Sequence, residues 1–167
     1  MNKKGFTLIE LLAVIVVLGV VLTLAMPSIL DSINASRNSS YKILIGNIKT
    51  AAETYYQECE YGDLSDKNKY GGYDCTIING NTINTTIGVL ANTGILKVSE
   101  SDENDILVVL DPRDTTKNLN SCKITITKEK KDITDNNGIT SSKVMYEVKG
   151  STQDGCPTDK DLQWGSD

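Results

Sequence analysis

Histidine is absent from this 167-residue chain. That removes the most frequent general base and the most frequent metal ligand. Aromatic residues make up only 5 % of the chain, with one Phe and one Trp, so any core is largely aliphatic. No nucleophile–base pair and no Gly-rich phosphate loop can be picked out. The four cysteines, Cys59, Cys75, Cys122 and Cys156, form no C-x-x-C pair, which argues against zinc and thioredoxin-like sites. Acidic residues outnumber basic ones 22 to 17, a net charge of −5, so the overall balance suggests no nucleic-acid surface. The most informative absence is local: from Leu11 to Leu30 there is no charge at all.

Those residues are apolar all round, which suits lipid or a helix bundle and not the surface of a soluble domain. At about 1.5 Å per residue the run gives ~30 Å of helix, enough to cross the hydrocarbon of a bilayer. A secretory signal peptide would also begin with basic residues such as Lys3 and Lys4. However, its apolar core is shorter, and Ala25-Met26-Pro27-Ser28 offers a poor small-residue cleavage site. A plain anchor is the other reading, and Glu10 argues against it. A carboxylate carried to the bilayer centre costs on the order of 2.5 kcal/mol or more, so one at the mouth of a span points to function and a partner.

The segment Lys3-Lys4-Gly5-Phe6-Thr7-Leu8-Ile9-Glu10-Leu11-Leu12 resembles the prepilin motif of the type IV pilins and the related pseudopilins. The resemblance implies cleavage after Gly5 by a membrane prepilin peptidase and N-methylation of the new first residue, Phe6. It places Glu10 at the fifth mature position and matches Pro27 to a proline common in the family's N-terminal helix. Glu10 and Pro27 are thus the expected assembly residues. Independently, cleavage leaves an amine on Phe6, and Glu10 is the only carboxylate in the apolar zone. The amine of one subunit can meet the Glu10 of its neighbour. Such a pair sets register more than it stabilises, because an unpaired charge at low dielectric costs several kcal/mol.

Beyond Pro27 the pattern turns amphipathic. Ile29, Ile33, Tyr41, Leu44, Ile48, Ala51, Ala52, Tyr55 and Cys59 recur at helical spacing, predicting one helix from about Thr7 to about Glu58, roughly 80 Å long. Pro27 should kink or loosen it, and Gly19 weakens it. Residues 62–72 read as a Gly-rich loop. Short strands are expected at Thr76–Ile78 and Thr82–Asn84 around an Asn79-Gly80 turn, and a short helix over Thr86–Asn92 ends at Gly94. Apolar Ile106–Leu110 reads as a strand. Cys122–Lys128 and Val144–Lys149 alternate as two more, joined into a hairpin by Asp135-Asn136-Asn137-Gly138. Lys128, Lys130 and Lys131, interrupted by Glu129 and Asp132, read as a solvated turn. The acidic tail from Asp159 to Asp167 reads as a loop.

An even cysteine count beyond an export segment implies two disulfides in an oxidising space. Of three connectivities, Cys59–Cys75 closes the Gly-rich loop. Cys122–Cys156 follows if Lys123–Lys128 pairs antiparallel with Lys143–Val148, placing Cys122 near Lys149. Asp102-Glu103-Asn104-Asp105, and Asp154 with Asp159 and Asp161, could attract calcium. Neither matches an EF-hand loop, and solvated carboxylates are the simpler reading, so no cofactor is assigned. The sequons at Asn34, Asn38 and Asn84 carry little weight in so Asn/Ser/Thr-rich a chain. Tyr70, Tyr73 and Trp164 read as packing residues.

The expected architecture is α+β, with a long N-terminal helix packed on a small antiparallel β-sheet head. Residues 1–5 form a leader, 6–30 a transmembrane or filament-core half-helix, 31–59 an amphipathic half-helix, and 60–167 the head. The resemblance implies a structural subunit, not an enzyme, held in the cytoplasmic membrane and then exported into a type IV pilus. Its partners would be other pilin subunits, prepilin peptidase, the pilus assembly machinery and membrane lipid. The alternative is a pseudopilin of a type II secretion or DNA-uptake machine.

Overall fold

A computed structural model describes residues 7–61, 75–78, 80–98, 100–104, 106–134, 138 and 140–163. Gly5, Phe6, Tyr70, Tyr73, Asp105 and Trp164 lie outside them, as does most of the Asp135–Gly138 turn. The first element, α1, is an α-helix from Leu8 to Tyr61. The chain forms two compact units, residues 1–39 and 40–167, and α1 contributes to both.

In the first unit the helix exposes its apolar side chains in every direction, Leu8 at 84 % and Leu24 at 78 %, with only Ala25 partly covered. It is long and apolar enough to span a membrane. Ile29 and Ile33, placed on the amphipathic stripe by their spacing, are exposed as well. Pro27 does not end the helix, which continues through it. Its missing N–H deprives the Thr23 carbonyl of its usual donor. The Thr23 hydroxyl is satisfied within the helix, donating to the Val20 carbonyl at 2.7 Å, so it can sit among apolar surroundings.

In the second unit α1 becomes one-sided. Tyr41, Ile45, Ile48, Ala52, Tyr55 and Tyr56 are buried, a helical face against the core, while Ile43 stays 63 % exposed. Three antiparallel strands receive it in the order β1-β4-β5, with β1 at Thr82–Thr86, β4 at Lys123–Thr134 and β5 at Thr140–Lys149. Ile83, Ile124, Ile126 and Val148 fill the inner side of that sheet. The short helix α2 (Ile87–Asn92) is capped by Thr86, whose hydroxyl accepts from Val89 N, and it is left through Gly94 at φ 75°. Strands β2 (Leu110–Asp111) and β3 (Asp114–Asn118) form a separate small hairpin, and α3 (Asp159–Leu162) follows.

Several strand expectations need correction. Thr76–Ile78 forms only a single bridge from Ile78 to Thr82, because the turn at Gly80 brings the chain back at once. Ile106–Leu110 is not a continuous strand. Its backbone groups are taken up by other partners: Asn120 accepts from Val109 N and donates to Leu107 O, and Leu119 N donates to Val109 O. The polar segment β3 carries no periodicity that would announce it. Lys128, Lys130 and Lys131 lie in β4 and not in a turn, because β5 runs alongside to Thr134↔Thr140. The hairpin register is three residues away from the expected one: Lys149 faces Thr125, not Cys122. Part of the tail is the helix α3, opened by a Thr158–Asp161 capping box.

Two charged pairs join elements of this unit. Asp111, 2 % exposed, accepts from Arg113 Nε at 3.0 Å, Arg113 Nη2 at 2.7 Å and the Arg113 amide at 2.8 Å. The same guanidinium lies 3.3 Å over the Tyr41 ring, tying α1 to the β2–β3 turn. Lys128 Nζ reaches both Glu60 oxygens at 2.6 and 2.7 Å, tying the end of α1 to β4. Burial pushes the Asp111 carboxyl up, but the Arg113 side chain and amide outweigh it and hold the group below its ordinary value. The Lys128 ammonium does the same for Glu60. A depressed carboxyl pKa stabilises the fold above the unfolded value of about 4 and loses that stabilisation as pH falls below it. The melting temperature of the detergent-solubilised protein is therefore expected to drop between about pH 5 and pH 3. An Asp111→Asn/Glu60→Gln variant should start lower at pH 7 and show a flatter profile.

Candidate functional site

The residues Thr7-Leu8-Ile9-Glu10 precede the apolar run with the spacing of a capping box, Thr-x-x-Glu. A helix start leaves its first backbone N–H groups without intrahelical acceptors, which is costly where water is scarce. Here Thr7 N donates to Glu10 Oε2 at 2.8 Å, and the Thr7 hydroxyl donates to the same oxygen at 2.8 Å. Glu10 N lies 3.4 Å from Thr7 Oγ1 and 3.1 Å from Thr7 O. The carboxylate sits in the first turn, where the helix dipole favours negative charge.

This geometry changes the meaning of Glu10. The carboxylate is anchored through Oε2 by its own helix, while Oε1 makes no hydrogen bond among the described residues. Both donors belong to Thr7, whose peptide N–H exists whether or not the bond between Gly5 and Phe6 is cut. Thr7 had no assigned role in the sequence reading, although the Thr-x-x-Glu spacing ahead of an apolar run was there to be used. Pro27 lies in the same exposed unit.

The cysteines lie in the second unit. Cys59 and Cys75 are bonded with their Cα atoms 5.3 Å apart, and Cys122 and Cys156 with theirs 5.6 Å apart. The first bridge fixes the last turn of α1; the second fixes the chain after β5. Among the described residues no group of three or more His, Cys, Asp or Glu side chains converges as a metal site. Asp102 is occupied locally, its Oδ1 accepting from Asn104 N at 2.9 Å and Ile106 N at 3.0 Å.

The family model for the prokaryotic N-terminal methylation motif matches residues 1–26. The capped start and the exposed apolar helix therefore coincide with the matched stretch. Over that stretch the chain is similar to the type IV pilins. Its elements are those of the pilin fold, a long N-terminal helix and a small antiparallel sheet. It is similar to the fimbrial protein EcpC of Eikenella corrodens, 34 % identical over 91 residues, which is 54 % of this chain and 58 % of that protein. The chain thus spans less than two thirds of that relative's length. No solved structure matches the chain.

Replacing Thr7 by valine keeps the shape and removes the hydroxyl. Losing an N-cap side chain costs about 0.5–2 kcal/mol. Amide hydrogen exchange in micelles should accelerate at Glu10 and Leu11 by several-fold or more and stay unchanged in β1, β4 and β5. Unchanged exchange in the first turn would show that the capping box does not hold it.

Proposed function

We propose that this chain is a structural subunit that polymerises into a type IV pilus, a surface filament for adhesion, motility or aggregation. In this reading residues 1–5 are a leader that prepilin peptidase removes between Gly5 and Phe6, and Phe6 is then N-methylated. Residues 6–30 hold the subunit in the cytoplasmic membrane as a single span until the assembly machinery transfers it into the filament core. Residues 31–59 carry the head, residues 60–167, onto the extracellular face of the filament. The partners are other pilin subunits, with lipid as the storage environment.

The observation that carries the reading is the exposed apolar helix with one capped carboxylate at its mouth. Oε2 is committed to Thr7, which leaves Oε1 to receive the amine of a neighbouring Phe6. A carboxylate already oriented pays little further ordering cost when that amine arrives. A lone amine or carboxylate buried in the filament core costs several kcal/mol, so subunits out of register are rejected.

Mass spectrometry of the mature protein should show an N-methylated Phe6; filaments that retain Met1 would sink the processing step. The Glu10→Ala variant should leave the melting of the head unchanged, because among the described residues Glu10 bonds only to Thr7. In cells with no wild-type copy it should reduce filament number at least about tenfold, the result of losing one partner of a buried charged pair. Filaments of normal number and length would refute the role of Glu10.

A further inference from the structure

The β4–β5 ladder continues past the sheet that supports it. β1 stops at the Thr82↔Thr127 register, and one further bond, Lys128 N to Asn81 O at 2.8 Å, closes the pairing. Beyond it, residues 129–134 and 140–145 form a two-stranded ribbon exposed on both faces. Strand alternation turns the backbone groups of Lys130, Asp132 and Thr134 to the same open edge as Lys128, and among the described residues nothing pairs with them. A lone two-stranded ribbon is marginal in water, so its length calls for a reason outside the head's own core.

The two faces of the ribbon differ in what occupies their charges. On one, Lys130 stands opposite Val144, 41 % exposed, the Ser142 hydroxyl donates to Asp132, and the Thr134 and Thr140 hydroxyls meet at 3.0 Å. On the other, Lys131 stands directly opposite Lys143. Like charges facing each other across a ladder repel. Neither lysine forms an ion pair among the described residues. Ile133, 44 % exposed, and Met145, 39 % exposed, flank the lysines on that face, with Glu129 one rung nearer to β1. The face is cationic and apolar together.

The same unit carries a patch of the opposite kind. Glu100, Asp102 and Glu103 are exposed beside Ile106, which is 46 % exposed. Asp102 N donates to Ile106 O and Val108 N to Glu100 O, both at 2.9 Å, and the Asp102 carboxylate accepts from Asn104 N and Ile106 N. Glu100 and Glu103 form no ion pair among the described residues either.

We propose that the Lys131–Lys143 face of one subunit docks on the patch of Glu100, Asp102, Glu103 and Ile106 of a second copy of this chain. The inference rests on the filament reading and specifies a contact between heads in it. Donor and acceptor surfaces are different, so the contact can repeat head-to-tail along a filament, the arrangement an open helical assembly requires. Opposed charges set the register, and Ile133 and Met145 meet Ile106 at the centre. A second copy fits better than a free polyanion. The chain's net charge of −5 repels a polyanion, and the apolar residues flanking the lysines would stay wet against a phosphate backbone.

The test uses the full-length chain in cells with no wild-type copy. Lys131→Glu/Lys143→Glu should lower filament yield about tenfold or more, and Glu100→Lys/Glu103→Lys should do the same. Combining the four substitutions should restore yield to within about twofold, since the attraction is only exchanged between partners. Independently, a zero-length carbodiimide should join Lys131 or Lys143 to Glu100 or Glu103 in wild-type filaments but not in detergent-held monomer. This arm decides the matter even if a reversal disturbs folding. Normal yield in either double variant, failure of the four-fold variant to recover, or absence of the cross-link overturns the docking contact while leaving the filament reading in place. A wild-type chain that forms no filaments overturns both. Retention of duplex DNA that is lost in Lys131→Glu/Lys143→Glu, with filament yield unchanged, would assign the face to a polyanion instead.

Discussion

Everything in this chain follows from the need to keep Leu11–Leu30 out of water. Burying one Leu, Val or Ile side chain is worth about 1.5–3 kcal/mol, so even ten of them represent some 15–30 kcal/mol. That exceeds the whole net stability of an ordinary domain, about 5–15 kcal/mol. The head's own core is composed of other residues, and none of the apolar side chains from Leu11 to Leu24 is buried in the structure. In the proposed reading the environment comes from outside the chain, as lipid or as the helices of other subunits. The two are similar in polarity, so transfer from one to the other is nearly balanced, and small terms decide it. A charge at the mouth of the helix is such a term.

The Thr7–Glu10 capping box shows how that charge is tolerated. A carboxylate at the mouth of the apolar helix is held by two donors from one residue, in the turn where the helix dipole favours it. The head solves a different problem on the same helix. From Tyr41 onward one face is apolar, and the sheet, α2 and α3 cover it. Disulfides and the Arg113–Asp111 and Lys128–Glu60 pairs tie the covering elements to one another and to α1, compensating for a core with few aromatics.

How legible each part was depended on the range of the interaction behind it. The helix and its change from all-round to one-sided apolar character could be read because the 3.6-residue period is local, as could α2, announced by Thr86 and Gly94. Ile106–Leu110 was misread because apolar composition cannot show that Asn120, ten residues away and more, satisfies its backbone. The Lys128–Thr134 stretch looked solvated because its alternation is between charges; only pairing with β5 makes it strand. The three-residue register shift has the same origin, since the tip of the hairpin fixes register and its sequence permits several. At the candidate site, Glu10 stands out in the sequence by its isolation, whereas its bond to Thr7 was overlooked, although the spacing carried the signal.

The central claim is that the exposed apolar helix exists to be exchanged from lipid into a filament. Immunogold labelling with an antibody to the head, on cells producing this chain with and without prepilin peptidase, tests that claim most directly. Label distributed along surface filaments in the first case, and confined to the membrane in the second, is the predicted result. Label confined to the membrane in both, on cells whose filaments are otherwise intact, would contradict it.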